Sequence, residues 1–263
     1  MTEHKPIPVS VYVITKNEEK NIVSLLDNLQ NFAEVIIVDS GSTDRTLELA
    51  KSYSNTKVSF NQWIGFGEQK AHALSLCNFP WVLNLDADET LSDSFIQELK
   101  QFIVQNKFVA LRTTRILLRW GRQPRSFGKA EKIIRLFKKT CGHYDSRQVH
   151  ESISVNGEIK ESEVEILHHE NLSYSQRIEK TVFYAKLKAQ DKFNKGGKTS
   201  MLVVLLIYPL TFIRTYLFKG HFLDGFGGIL TSVNVAFYNY MKYANLWDMN
   251  KRAKCKNSHF ENN

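Results

Sequence analysis

VIIVDSGSTDRTLELA (35–50) changes period at its middle. Val35–Val38 is an unbroken apolar run of buried-strand length. Ser40-Gly41-Ser42-Thr43 is a turn rich in helix-capping hydroxyls, and Leu47 and Ala50 then lie on a helical face. The stretches on either side repeat this strand–turn–helix pattern. Upstream, VSVYVI (9–14) reads as a strand, and Ile22, Leu25, Leu26 and Leu29 recur at i, i+3, i+4 and i+7. Downstream, VSF (58–60) reads as a third strand, 68–77 as a helix and WVLNL (81–85) as a fourth strand. Ser92 caps a further helix carrying Phe95, Leu99, Phe102 and Ile103. Strands alternating with helices predict an α/β protein with a parallel sheet covered on both faces. Ligands bind such sheets beyond the carboxyl ends of the strands. Those ends carry Thr15, Asn17 and Glu18, then Asp39, then Asp86, Asp88 and Glu89, so the carboxylates gather at one edge.

Past residue 107 the pattern changes. Phe108–Leu118, Ile133–Phe137 and Val149–Ile153 read as strands, with a turn at 119–122. Tyr174, Ile178, Thr181, Val182, Ala185 and Ala189 fit one long helix ending at Gly196-Gly197. The reading is therefore a nucleotide-binding half (1–106), an acceptor and catalytic-base half (107–195) and an apolar, basic helical tail (196–263). Within the tail, MLVVLLIYPLTFI (201–213) is shorter than the roughly 20 residues that span a bilayer, which predicts a buried helix or an interfacial segment. No basic n-region precedes an apolar h-region at the N-terminus, so no signal peptide is expected.

Length and composition set bounds. With 263 residues, 43% of them apolar and 24% charged, the chain can build a sizeable core. Cys77, Cys141 and Cys255 are odd in number and widely spaced, which predicts neither a disulfide framework nor a cysteine zinc site and fits a reducing cytoplasm. Of the net +8, residues 107–150 alone hold 12 basic against 2 acidic groups. Such a patch suits phosphates, anionic lipid or nucleic acid. No GxGxxG, P-loop, GxSxG or HExxH pattern is present, and no nucleic-acid-binding module is recognisable, so no nucleic-acid partner is expected.

Several residues could carry chemistry. Asp86 and Asp88, at i and i+2 of extended chain, point to one side and suit Mg²⁺ or Mn²⁺ held with substrate phosphates. Asp39 heads the turn DSGSTDRT and either makes an Asx-turn or helix cap by accepting backbone N–H bonds or, if Asp44 and Thr43 do the capping, is left to accept a ligand N–H. Glu151, set between Val149 and Ile153, is the candidate general base, with His150 as the alternative. Arg135, on the Ile133–Phe137 strand, is placed to pair with a diphosphate or to orient Glu151. His168 could complete a metal shell or be structural. Arg119 and Arg122, with Arg112, Arg115 and Arg125, could hold an anionic acceptor.

The ordered set VSVYVITKNEEKNI, VIIVDSGSTDRTLELA, GFGEQKAHAL and WVLNLDADE resembles the nucleotide-binding half of family 2 glycosyltransferases, the GT-A fold, over roughly residues 8–100. Through RLF (135–137), VHES (149–152) and the His168 region the chain is similar to lipopolysaccharide core β-1,4-glucosyltransferases that act on an inner-core heptose. The resemblance implies that Thr15 and Glu18 line the uridine pocket and that Asp39 holds the uracil edge. Lys70 would approach the diphosphate, Asp86 touch the ribose and Asp88 bind the metal. Many family 2 enzymes have an acidic pair where this chain has His150-Glu151. The expectation is an inverting hexosyltransferase using a UDP-sugar, glucose foremost, on a lipid-linked oligosaccharide of the lipopolysaccharide or lipooligosaccharide core, cytoplasmic and peripheral at the inner membrane. A polyisoprenyl-phosphate sugar transferase and a non-catalytic nucleotide-sugar or polyanion-binding module are the alternatives. Asp86, Asp88 and Glu151 together favour catalysis, since a binding module needs no base.

Overall fold

The computed structural model describes residues 5–119, 121–125, 131–144, 153–170 and 172–260, with side chains through 254. The chain divides into two units: residues 1–122 with 130–170, and residues 123–129 with 171–263.

The first unit grows from the expected strands and helices. β1 (Ile7–Thr15), α1 (Glu19–Asn28), β2 (Phe32–Asp39), α2 (Thr46–Lys51), β3 (Thr56–Phe60), α3 (Phe66–Leu76), β4 (Trp81–Leu85) and α4 (Asp93–Gln105) follow in order, with the two-residue β5 (Glu89–Thr90) ahead of α4. β3-β2-β1-β4 are mutually parallel. Strand alternation sorts their side chains onto two faces. Val9, Val11 and Val13 join Ile22, Leu25, Leu26, Phe95 and Leu99 in one buried cluster. Tyr12 joins Ala73, Leu74 and Phe137 in another. Each fully buried aliphatic side chain contributes about 1.5–3 kcal/mol, so the expected two-faced parallel sheet is held from both sides. Ser92 caps α4 as expected, accepting from Phe95 N at 3.2 Å, and Asn106 ends that helix in the left-handed conformation.

Five more strands complete the sheet and a hairpin. β6 (Ala110–Arg119) and β7 (Glu131–Lys138) fall where strands were expected. β8 (Gly142–Tyr144) pairs with β9 (Ile153–Val155) in a separate two-stranded sheet, and β10 (Ile159–Glu170) is parallel to β6. The large sheet has the order β3-β2-β1-β4-β7-β6-β10-β5, with β7 antiparallel to both neighbours. Of the strand read over 149–153, only Ile153 falls among the described residues. β10 is longer than the apolar VEIL within it, because Glu161, Glu163 and Glu165 interrupt the apolar pattern while the backbone still pairs with β6. The turn expected at 119–122 is present as a mutual backbone pair between Arg119 and Arg122.

The second unit is helical. α5 (Tyr174–Asn194) opens with a Ser173–Gln176 capping box. α6 (Met201–Ile213) continues through a wider π-helical turn to Phe218, and α7 (Gly225–Phe260) closes the chain. Small residues let α5 approach α7: Ala185, Ala189, Ala236 and Ser232 are fully buried, and Thr181 donates to Asn234 Oδ1 at 3.0 Å. α6 corrects one expectation. The uncharged run ends before Arg214, whereas the helix runs on to Phe218, 18 residues that are long and apolar enough, by length and composition, to cross a membrane. A buried helix is overturned: Leu202, Leu205 and Leu210 are each about 60% exposed.

Candidate active site

Sheet register builds the nucleotide end of the site. Thr15 lies opposite Asp39, and Asp39 opposite Phe60, so the last residues of β1, β2 and β3 form one row. The turn after β2 wraps around Asp39. Its Oδ2 accepts Gly41 N (2.7 Å) and Ser42 N (2.8 Å), while Oδ1 accepts the Ser42 and Thr15 hydroxyls. Four donors fill the four lone-pair positions of a carboxylate. Asp39 thus shapes its own turn, as an Asx-turn carboxylate does by accepting backbone N–H bonds. Asp44 does cap as expected, accepting Thr46 N (3.0 Å) and also Glu19 N (3.1 Å), which ties α2 to α1. Asn17, with a φ of 57°, cross-links the same loops through Thr43 N (2.8 Å). Glu18 receives Asn21 Nδ2 at 2.8 Å, and its backbone N–H donates to Thr46 Oγ1.

At the other end, the DxD carboxylates part company. β4 stops at Leu85, and Asp86–Glu89 is a turn closed by Glu89 N donating to Asp86 O (3.1 Å). The extended-chain premise that aimed Asp86 and Asp88 the same way fails there. Asp86 turns toward Arg135 Nη2 (2.8 Å), Arg115 Nη1 (3.2 Å) and Lys70 Nζ (3.4 Å). Burial alone would raise its pKa, but Arg135, Lys70 and Arg115 outweigh burial and hold it well below the ordinary carboxylate range. Glu89, fully buried, also pairs with Arg135 and Arg115. Its pKa is raised by burial, with repulsion from Asp86 adding to it against the pull of Arg135. Arg135 donates its other terminal nitrogen to Asn84 Oδ1 (2.9 Å), and its buried Nε has no hydrogen-bond partner. Its terminal nitrogens are thus engaged within the sheet, not extended toward a diphosphate as expected.

Asp88 meets His168, whose Nε2 stands 2.9 Å from Asp88 Oδ2. β5 brings them together: Glu89 is paired with His168 across the ladder, and His169 N donates to Asp88 O (2.8 Å). The expected carboxylate and imidazole are thus adjacent and half-buried. No set of three or more His, Cys, Asp or Glu side chains gathers for a metal among the described residues. Two protein ligands still fit a hard divalent ion, which keeps waters and takes substrate phosphates for the rest of its shell.

A cleft of about 510 Å³ opens beside this cluster. Lys70, Asn84, Arg135, Tyr144 and Ile153 are among its lining residues. Tyr144 and Ile153 are a cross-strand pair, so both ends of segment 145–152 meet at the cleft. Glu151 and His150 themselves lie outside the described residues. The Tyr144 hydroxyl is 2.5 Å from that of Tyr12, and burial pushes Tyr144 up to about 12. Part of the basic surface expected over 107–150 is ion-paired. Arg112 pairs with Glu161 (2.9 Å), Arg115 with Asp86, Glu89 and Glu131, and Arg119 with Glu170 (2.5 Å). Arg122 remains exposed, and Arg125 belongs to the second unit. The sequence reading names Glu89 only as an edge carboxylate and Arg115 only as an acceptor-side arginine; their pairing with each other and with Asp86 and Arg135 is what it misses. Glu89 adjoins the DxD pair, but nothing local announces that it is buried.

Comparison with known proteins bears on this geometry. The sequence pattern of Glycosyl transferase family 2 matches residues 10–157, which include the Thr15–Asp39 row, the Asp86 cluster and the cleft. A lipopolysaccharide core biosynthesis glycosyltransferase, LpsC of Rhizobium meliloti, is 30% identical over 92% of both chains. An uncharacterized glycosyltransferase of Rickettsia prowazekii is 29% identical over 94% of this chain and 89% of its own. In fold, the chain is similar to Staphylococcus aureus TarS crystallised with UDP, with a TM-score of 0.50 and 17% identity over 89% of this chain and 91% of that one. A GT-A α/β sheet with an appended helical region, matched over more than half its length, identifies the molecule: it is a glycosyltransferase, and it belongs to Glycosyl transferase family 2.

Proposed function

We propose that the chain is an inverting hexosyltransferase. It moves a hexose, glucose by its resemblance, from a UDP-sugar to an inner-core heptose of lipopolysaccharide or lipooligosaccharide, at the cytoplasmic face of the inner membrane. The observation that carries this is the cleft at the carboxyl edge of the sheet. Lys70 lines it 3.4 Å from Asp86, Asp88 and His168 meet beside that cluster, and the segment holding Glu151 starts and ends at its wall. The UDP in the TarS structure supports the donor class, and the LpsC name supports the acceptor class.

In this reading Glu151 takes the proton of the acceptor hydroxyl as that oxygen attacks the anomeric carbon from the face opposite the diphosphate. The bond from anomeric carbon to phosphate oxygen breaks, UDP departs with the electron pair, and configuration inverts. Lys70 lies where it meets diphosphate charge. Arg135 and Arg115 keep Asp86 ionised to face the ribose. Mg²⁺ or Mn²⁺ held by Asp88 and His168 would neutralise charge on the leaving diphosphate. The helical unit carries 16 basic and 5 acidic residues and exposes the apolar α6, which supports contact with a membrane. That same exposed helix favours one second reading, a polyisoprenyl phosphate as acceptor.

A nucleotide-sugar screen tests the proposal: UDP release with and without Mn²⁺, with truncated core or polyisoprenyl phosphate as acceptor, and the product anomer read by NMR. Core-dependent release with inversion is expected. Retention of configuration, or transfer to the polyisoprenyl phosphate alone, would overturn it.

A further inference from the structure

We propose that the Tyr144 hydroxyl is a fixed hydrogen-bond donor aimed into the cleft, where it meets the diphosphate oxygen that leaves the sugar, and that Tyr12 sets its direction. The inference rests on the UDP-sugar reading above. Tyr12, on β1, is fully buried, while Tyr144, at the end of β8, lines the cleft with Lys70 and Arg135. The two hydroxyl oxygens are 2.5 Å apart, and among the described residues neither hydroxyl has another hydrogen-bond partner. Packing holds the pair in place. The Tyr12 ring stands edge-on to Phe137, with centroids 6.5 Å apart. Gly142, two residues before Tyr144, lets β8 lie close against that side of the sheet, since a Cβ there would collide with the Phe137 ring.

A phenol has one proton to donate and can also accept. Between two phenols only one proton lies on the shared axis, so the other is directed elsewhere. If Tyr144 donated, the Tyr12 proton would be left in the core without an acceptor, which is costly. If Tyr12 donates, both protons are served. Its own proton bonds to Tyr144, and the Tyr144 proton turns toward the cleft, where water or a ligand accepts it. The fold therefore selects the second arrangement. Burial keeps both groups protonated at neutral pH: it raises Tyr12 well above its ordinary value and pushes Tyr144 up to about 12.

The surroundings name the acceptor of that proton. Burial raises the Tyr144 pKa, while Lys70 and Arg135 both stand near enough to pull against it. A neutral donor beside two cations on a cleft wall suits an anionic oxygen. In the transfer, the bond from anomeric carbon to β-phosphate oxygen breaks and its electron pair stays on that oxygen. Negative charge grows there as the bond lengthens. The Tyr144 O–H hydrogen-bonds to this oxygen and keeps its proton, while the proton of the acceptor hydroxyl goes to Glu151. A donor already oriented where charge develops lowers the barrier.

The test compares wild type with Tyr144→Phe, Tyr12→Phe and the double variant by steady-state UDP release, by calorimetric titration of UDP and of UMP, and by thermal melts. Tyr144→Phe should lower kcat by about 10²-fold. It should weaken UDP by about ten-fold and leave UMP unchanged, because only UDP carries the terminal phosphate. It also strands the Tyr12 proton in the core, so its Tm should fall by about 4 °C. Tyr12→Phe strands nothing and should keep the wild-type Tm, while loss of direction at Tyr144 lowers kcat by about ten-fold. The double variant should regain the wild-type Tm and keep the low kcat of Tyr144→Phe, which separates the chemical role from stability. Normal kcat in Tyr144→Phe, or a loss confined to the acceptor KM with UDP binding intact, would overturn the role at the diphosphate while leaving the donor reading standing. A Tm that falls in Tyr12→Phe and not in Tyr144→Phe would overturn the proton direction. Absence of UDP binding and UDP release by the wild type would overturn the donor reading and the Tyr144 role with it.

Discussion

The two units treat charge in opposite ways. The sheet unit holds 19 basic and 22 acidic residues, and its cations are matched in space: Arg112 with Glu161, Arg119 with Glu170, Arg115 and Arg135 with Asp86 and Glu89. The helical unit holds 16 basic against 5 acidic and exposes a row of leucines on α6. Residues 107–150 look like the basic centre only when charge is summed along the chain, because their partners come from Asp86, Glu89, Glu161 and Glu170. A field follows the arrangement in space, and in space the surplus belongs to the helices. On the function proposed above, the sheet unit carries the chemistry and the helical unit is the part that would meet an anionic surface.

The largest effect should follow from removing chemistry from the sheet unit alone. Glu151→Gln is expected to lower turnover by about 10²–10⁴-fold while UDP-sugar binding survives. Asp88→Asn should abolish transfer, as should chelation of divalent ions. Vesicle binding, as a property of the helical unit, should persist in both variants. Steady-state kinetics and flotation read the two halves separately. Normal turnover at saturation with lost donor binding would move Glu151 into the donor site, and full activity of Asp88→Asn in EDTA would remove the metal role.

Next comes stability, where a buried ion pair and an exposed one should differ. Arg135→Met leaves the buried Glu89 and the part-buried Asp86 with two cations in place of three, and breaking such a network from one side costs about 3–5 kcal/mol. Arg252 pairs with Asp248 at 2.8 Å on the helical unit with both side chains more than half exposed, so Arg252→Ala should change stability by about 0.5 kcal/mol or less. Urea unfolding of the two variants decides. Equal losses would erase the distinction between the units.

Acid should unpick the sheet unit more gently. Glu34 is buried beneath Ser10, Lys57 and Asn78. Burial opposes its ionisation, but bonds from Lys57, Ser10 and Asn78 outweigh it and lower its pKa to about 2 from 4.5. Because the folded pKa lies below the unfolded one, Glu34 contributes stability above pH 4.5 that is lost as pH falls toward 2. Glu34→Gln should cost about 2 kcal/mol at pH 7 and flatten the pH dependence between 4.5 and 2. Thermal melts of the variant that track wild type across that window would refute the assignment.

What was legible in the sequence follows from how local each cause is. β1, β2, β4 and α4 could be read because their apolar periods and the Ser92 cap are local. Asp39, Asp86 and Asp88 could be placed at the sheet edge because each ends or follows an apolar run. Their partners could not. Glu89 is buried by a two-residue strand pairing with His168, 79 residues on. Arg115 and Arg119 are neutralised by acids far away in sequence. The filling of Asp39 depends on turn geometry that a hydroxyl-rich stretch permits but does not dictate. The exposure of α6 depends on how much of it the other described elements leave uncovered, and no residue within α6 records that.

The smallest effect should separate the two basic regions directly. If the helical unit docks on an anionic bilayer, its apolar α6 supplies depth and its surplus lysines supply attraction. Each charge near such a surface is worth about 1 kcal/mol at low salt and less as the Debye length shortens. Leu206 and Leu210 are 46% and 59% exposed, so replacing both with Asp should leave the fold intact. It should weaken flotation with phosphatidylglycerol vesicles by about ten-fold, since two buried leucines are each worth more than 1 kcal/mol. Arg119→Ala with Arg122→Ala, in the sheet unit, should change vesicle binding by less than about two-fold. One of those two guanidiniums is already paired with Glu170, so its removal subtracts little outward field. The same double variant should raise the KM for a soluble truncated acceptor by no more than about three-fold, through exposed Arg122. A steep loss of vesicle binding in the arginine variant, with none in the leucine variant, would reverse the assignment and return the basic face to the sheet.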